Sequence, residues 1–85
     1  MKAAILEETG RIEVRDVEDL RPARDEVLIR TACAGVCGSD LHAFRGRHPF
    51  RKPPVVLGHE LAGTVVEVGH DVGDIRLDDR VTMMP

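Results

Sequence analysis

The segment EVLIRTACAGVCGSDLH, residues 26–42, changes character halfway along. It begins as a strand, with Val27 and Ile29 on one face and Leu28 on the other, the two-residue period of a sheet. Gly35 and Gly38 then interrupt it. Cys37, Ser39, Asp40 and His42 follow within six positions. Ser39 is expected to cap a short helix over 39–45, its hydroxyl accepting a backbone N–H. A thiol, a hydroxyl, a carboxylate and an imidazole at such a break make either a polar turn or a reaction centre.

Outward from this break the chain is mostly strand. Residues 2–8 and 11–18 flank Thr9 and Gly10 and read as a hairpin, in which Ile12 and Val14 alternate with charges as in a half-buried strand. Residues 20–26 form a polar loop broken by Pro22. Residues 46–56 carry Pro49, Pro53 and Pro54 and are expected to be an exposed loop or extended segment. TVVEV (64–68) is a strand between Gly63 and Gly69, 71–79 is a turn-rich connection, and RVTMM (80–84) is a last strand. The fold class is therefore mainly β, a small sandwich or partly open β-barrel with one short helix.

With 85 residues the chain makes one small domain at most. Phe44 and Phe50 are its only aromatic rings, and its formal net charge is −3. It lacks the basic surface and stacking platforms of a nucleic-acid binder. No run of about 18 apolar residues offers a membrane span. The opening MKAAILEETG meets two glutamates too early for a signal peptide. A cytoplasmic protein with neither nucleic-acid nor membrane partners is expected. In that reducing compartment Cys33 and Cys37 are thiols or metal ligands rather than a disulfide. Cys33, inside the strand, reads as a small buried apolar group.

A second polar cluster, GHE at 58–60, bears on the first. Catalytic zinc takes three protein ligands from Cys, His and carboxylate and keeps one position open. Cys37 and His59 suit it by softness, and each lies beside a glycine. Glu60 is geometrically awkward, because neighbours on a regular strand point to opposite faces. His59 and Glu60 share an ion only where the backbone is irregular, which Gly58 permits. Taken singly, these residues have plainer uses: Ser39 as a cap, Asp40 as a solvated charge at the helix start, His42 as a surface side chain. His48 and His70 read as solvated loop residues. Arg45, Arg47, Arg51 and Lys52 form a basic cluster, read as a solvated loop or as a lure for an anionic substrate.

GHELAGTVVEVGHDV (58–72) resembles the pattern of the zinc-containing alcohol dehydrogenases, with Gly58, His59, Glu60, Gly63, Gly69 and Val72 in place. GVCGSDLH (35–42) matches the segment carrying that family's first catalytic zinc ligand. LDDRVTMMP (77–85) is similar to its following strand, where glycine is commonest at the position of Asp78, and the opening hairpin matches too. The family is the zinc branch of the medium-chain dehydrogenase/reductase superfamily, whose N-terminal domain is a GroES-like barrel within an α/β two-domain enzyme. The resemblance implies that Cys37 and His59 bind the zinc and that Glu60 stands beside it, as a ligand in polyol-type members. It implies that Ser39 contacts the substrate oxygen, that His42 exchanges the proton with solvent, and that Asp40 hydrogen-bonds the histidine ligand. CGSDLHAFRG most resembles the sorbitol, butanediol and threonine dehydrogenase branch. The implied activity is NAD- or NADP-dependent oxidation of a small alcohol, polyol or hydroxy amino acid. Physical chemistry fits these roles: zinc lowers the pKa of an oxygen ligand, a hydroxyl followed by an imidazole relays a proton, and a carboxylate fixes a ligating histidine.

No G-x-G-x-x-G follows a strand, and the cysteine cluster of a structural zinc is missing. The end at Pro85, directly after the last apolar run, reads as a cut. Residues 1–85 are therefore expected to be the N-terminal part of a catalytic domain whose dinucleotide-binding domain is absent. Such a chain alone is expected to have no turnover. The alternative is a non-enzymatic zinc-binding or oligomerising GroES-like module. A zinc-free quinone reductase fits less well, since those relatives usually lack the Cys and Gly-His-Glu ligands. A barrel without its companion exposes apolar surface, so a homo-oligomer is expected.

Overall fold

The alternating segments become strands in a computed structural model, which describes residues 1–83. In order these are β1 (Lys2–Glu8), β2 (Arg11–Asp16), β3 (Val27–Gly35), the helix α1 (Gly38–Phe44), β4 (Val55–Val56), β5 (Glu60–Val68) and β6 (Arg80–Met83). Among the described residues the class is mainly β with one short helix, as expected, and both sheets are open. The chain divides into two compact units. One comprises Met1–Glu18 and Val36–Gly58; the other comprises Asp19–Gly35 and the chain from His59 onward.

In the first unit β1 and β2 pair antiparallel around Thr9 and Gly10, from Lys2 opposite Asp16 to Glu8 opposite Arg11. β4 joins the other side of β1, with Val55 opposite Leu6, giving the order β2-β1-β4. This pairing lies at the end of the stretch expected to be loop or extended. Two β-branched residues follow the prolines there and have the N–H groups that proline lacks. Leu6 and Ala43 of α1 are fully buried. The helix end is tied to the hairpin turn, since Gly10 N–H donates to the Phe44 carbonyl at 2.8 Å. Ile12 and Val14 depart from expectation: they are 47% and 67% exposed. β2 is an edge strand, and its half-buried residue is Glu13. A hydrogen bond from Arg15, then the charge of Arg11, hold the Glu13 carboxyl below the usual carboxylate range. These ion pairs are solvated and contribute little to stability.

In the second unit β3, β5 and β6 form an antiparallel sheet with β5 central. β5 is longer than the expected 64–68, because Gly63 lies inside it rather than ending it. A Cβ at Gly63 would stand 2.2 Å from the Arg30 carbonyl oxygen, so only glycine admits this close strand approach. The β3–β5 register shifts between Leu28 and Ile29 and again between Thr31 and Cys33. Such bulges turn side chains out of simple alternation. Val27, Leu28 and Ile29 are accordingly all half-buried, and Cys33 is exposed rather than buried. Val65 is fully buried. Its N–H donates to the Asp79 carbonyl and its carbonyl accepts from Asp78 N–H, both at 2.9 Å. Asp78 makes that bond with a φ of 70°, the left-handed region that favours glycine. The expected final strand is present to Met83, and Met84 lies outside the described residues.

Two substitutions should therefore move stability in opposite directions. Asp78→Gly relieves the left-handed residue and should raise the unfolding free energy by about 0.5–1 kcal/mol. Gly63→Ala forces the strands apart and should lower it by about 3 kcal/mol. Urea melts of both variants check this, and equal midpoints for the two would contradict the strand geometry.

Candidate metal centre

The break after β3 is organised by Cys37 and Asp40. Cys37 is extended, with φ −110° and ψ 175°, and is the N-cap of α1. Its carbonyl accepts from Asp40 N–H at 3.1 Å and from Leu41 N–H at 3.3 Å, which starts the helix. Asp40, three residues after the cap, reaches back to accept Cys37 N–H on Oδ2 at 3.2 Å. This is the return half of a capping box, built here with an aspartate. The helix starts one residue earlier than expected, so Ser39 is inside it and is not its cap. The Ser39 hydroxyl instead lies 2.9 Å from Cys37 Sγ.

Asp40 is only 5% exposed, unlike a solvated helix-start charge. A buried carboxylate needs donors, and it has them. Besides Cys37 N–H on Oδ2, its Oδ1 accepts Gly58 N–H at 3.3 Å and Arg51 Nη1 at 3.2 Å. Arg51 is thus not part of a solvated basic cluster, and its Nη2 also donates to the Val56 carbonyl at 3.2 Å. The residue pattern gave no sign of this pair: one arginine among four cations in a proline-rich loop looks like any other. His48 departs in the same way. It is half-buried, and its Nδ1 accepts the amides of Phe50 and Arg51 at 3.1 and 3.0 Å.

Gly58 has a φ of 104°, which a side chain would strain, and it hands the chain directly to His59. One donor atom from each of Cys37, Asp40 and His59 lies within 4.8 Å of the other two. Cys37 and His59 are half-buried around the buried carboxylate. Glu60 is not one of this group. It opens β5 opposite Gly35, and its Oε2 lies 3.5 Å from where a Gly35 side chain would begin. Consecutive residues on a regular strand point to opposite faces, which accords with a cluster that takes in His59 and not Glu60. His42 is exposed on α1, three residues from Ser39 and hence on the same helical face. His70 is exposed beside Asp71, as expected of a loop residue.

The donor set fits zinc. A thiolate and an imidazole are the soft and borderline ligands that zinc prefers, and the backbone presents both beside glycines. Asp40 is better placed to orient than to bind, because its two oxygens already accept three protein donors.

The alcohol dehydrogenase GroES-like domain family matches residues 23–85, and the chain belongs to that family. It is 40% identical to a sorbitol dehydrogenase of Halalkalibacterium halodurans over 74 residues, covering 87% of this chain and 21% of that protein. Among solved structures, the 2R,3R-butanediol dehydrogenase of Bacillus subtilis superposes with a TM-score of 0.85 at 34% identity, over 95% of this chain and 26% of the other. A protein described as a zinc-binding dehydrogenase, from Sinorhizobium meliloti 1021 and bound to NADP, superposes at 0.83 with 44% identity, over 93% and 23% of the two chains. The chain spans 16–27% of the length of the first curated relatives it matches.

Because Asp40 gathers an arginine and two amides at a buried position, Asp40→Ala should cost about 3 kcal/mol in a urea melt. A loss below about 1 kcal/mol, the range of solvated ion pairs, would show that these bonds do not hold the centre together.

Proposed function

We propose that this chain is the zinc-binding, substrate-side part of an NAD(P)-dependent alcohol or polyol dehydrogenase. The observation that carries this reading is the approach of a thiol, an imidazole and a buried carboxylate to within 4.8 Å. Family membership supports it, as does the presence of sorbitol and butanediol dehydrogenases among the relatives. The substrate class is a small alcohol, polyol or hydroxy amino acid. The hydride acceptor binds in the remainder of a longer enzyme, of whose relatives this chain matches about a quarter.

Cys37 and His59 would hold the ion, with Glu60 as the adjoining carboxylate of the motif. Zinc supplies Lewis acidity there, which makes an alcohol easier to deprotonate. The rest falls to side chains. Asp40, fixed by its three donors, orients the two ligand-bearing segments. The Ser39 hydroxyl, beside Cys37 Sγ, accepts the substrate proton while it can donate its own. His42, exposed on the same helical face, takes that proton and releases it to solvent.

A cytoplasmic location accords with this chemistry; among the described residues no helix is long and apolar enough to cross a membrane. The exposed Ile12 and Val14 of β2 give the chain an apolar face through which a homo-oligomer or the rest of the enzyme would be joined.

Metal substitution tests the reading. Cobalt-loaded intact protein should show a thiolate-to-cobalt charge-transfer band. Cys37→Ala should abolish that band, whereas Cys33→Ala should leave it unchanged. Loss of the band on removing Cys33, or its persistence without Cys37, sinks the proposal. The 85-residue chain alone should turn over neither sorbitol nor butanediol with NAD or NADP.

A further inference from the structure

His48 has no part in the chemistry above, yet the approach of Arg51 to Asp40 is built upon it. We propose that His48 is a positioning residue of the metal centre, acting through Arg51 and Asp40. The inference rests on the metal-centre reading given above.

The segment around His48 has little of its own to fix it. Pro49, Pro53 and Pro54 have no N–H to donate, and among the described residues no strand or helix lies between Phe44 and Val55. The imidazole supplies what the backbone lacks. Its Nδ1 accepts two successive amides, Phe50 N–H at 3.1 Å and Arg51 N–H at 3.0 Å, and closes a turn. A nitrogen that accepts carries no proton, so the ring's hydrogen is on Nε2. The turn fixes the backbone of Arg51. Its guanidinium then makes two directed contacts, one to Asp40 Oδ1 and one to the Val56 carbonyl. Val56 is paired with Ile5 of β1, so the guanidinium joins the helix start to a sheet.

The same Asp40 oxygen accepts Gly58 N–H, the amide next before His59, while the other oxygen holds Cys37 N–H. One carboxylate thus sets the backbone beside both proposed ligands. Its rotation about the side-chain bonds is held on one edge by Arg51, and Arg51 is held by His48. A directed, charge-assisted bond of this kind is more sensitive to placement than a solvated ion pair. Displacing Arg51 would leave Asp40 less well aimed and loosen the spacing of Cys37 and His59.

Three variants of the intact protein test this by zinc competition with a chelator and by amide hydrogen exchange. His48→Phe keeps a ring but removes the acceptor. It should strip protection from the Phe50 and Arg51 amides and raise the zinc Kd about tenfold, the low end of losses seen when a supporting partner of a metal ligand is removed. His48→Asn places Oδ1 where Nδ1 stood and should restore both protection and affinity. Arg51→Met should raise the Kd to a similar extent, and adding His48→Phe to it should raise it no further, since the two act in series. Additive losses in the double variant, failure of His48→Asn to restore affinity, or an unchanged Kd in His48→Phe would each overturn the role of His48. Zinc retained with unchanged affinity in Cys37→Ser would instead overturn the metal centre itself, a separate failure.

Discussion

Everything at the centre depends on one buried carboxylate. Asp40 is placed by the first turn of a seven-residue helix, and it answers its own burial with a guanidinium and two backbone amides. The donors come from three separate places in the sequence: the helix cap, the proline-rich loop and the approach to β5. Bringing them to one point costs chain entropy, and a desolvated carboxylate returns it only when every oxygen is satisfied. The consequence is functional. The amides Asp40 accepts belong to Cys37 and to the residue before His59, so the fixed carboxylate aligns the chain beside the two side chains proposed as metal ligands.

The division of labour among neighbouring residues follows from backbone geometry. Cys37 is extended while Gly38 is already helical, and this turns Ser39 toward the sulfur instead of toward the helix terminus. Gly58, at positive φ, redirects the chain immediately before His59, and Glu60 then enters the sheet against Gly35. His59 is one of the three clustered residues, and Glu60, next in the sequence, is not. The NADP-bound relative and the butanediol dehydrogenase share this part of the fold, and each is about four times as long as this chain.

Much of this was legible in the residues themselves. The hairpin around Thr9 and Gly10, the strand from Val27 and the short helix after Gly35 follow from period and punctuation. The pairing of Cys37 with His59 rested on donor chemistry and on resemblance, and the structure brings them together with Asp40. What stayed hidden depends on contacts distant in sequence. Cys33 is exposed because two register shifts reorient β3, and no local pattern encodes a bulge in a strand pairing. Ile12 and Val14 alternate as an inward face should, but β2 lies at a sheet edge. The use of Arg51 and His48 depends on Asp40 being buried, which composition alone does not reveal. Asp78 is the converse case: the glycine that the resemblance leads one to expect at that position would suit the positive φ found there.

X-ray absorption at the zinc edge of the intact protein tests the central claim most directly, with Cys33 and any cysteine outside this segment replaced so that Cys37 is the only sulfur within reach. A first coordination sphere with one sulfur, together with nitrogen and oxygen ligands, is the predicted result. A sphere of nitrogen and oxygen alone would contradict it, because the sulfur at position 37 would then have no share in the ion.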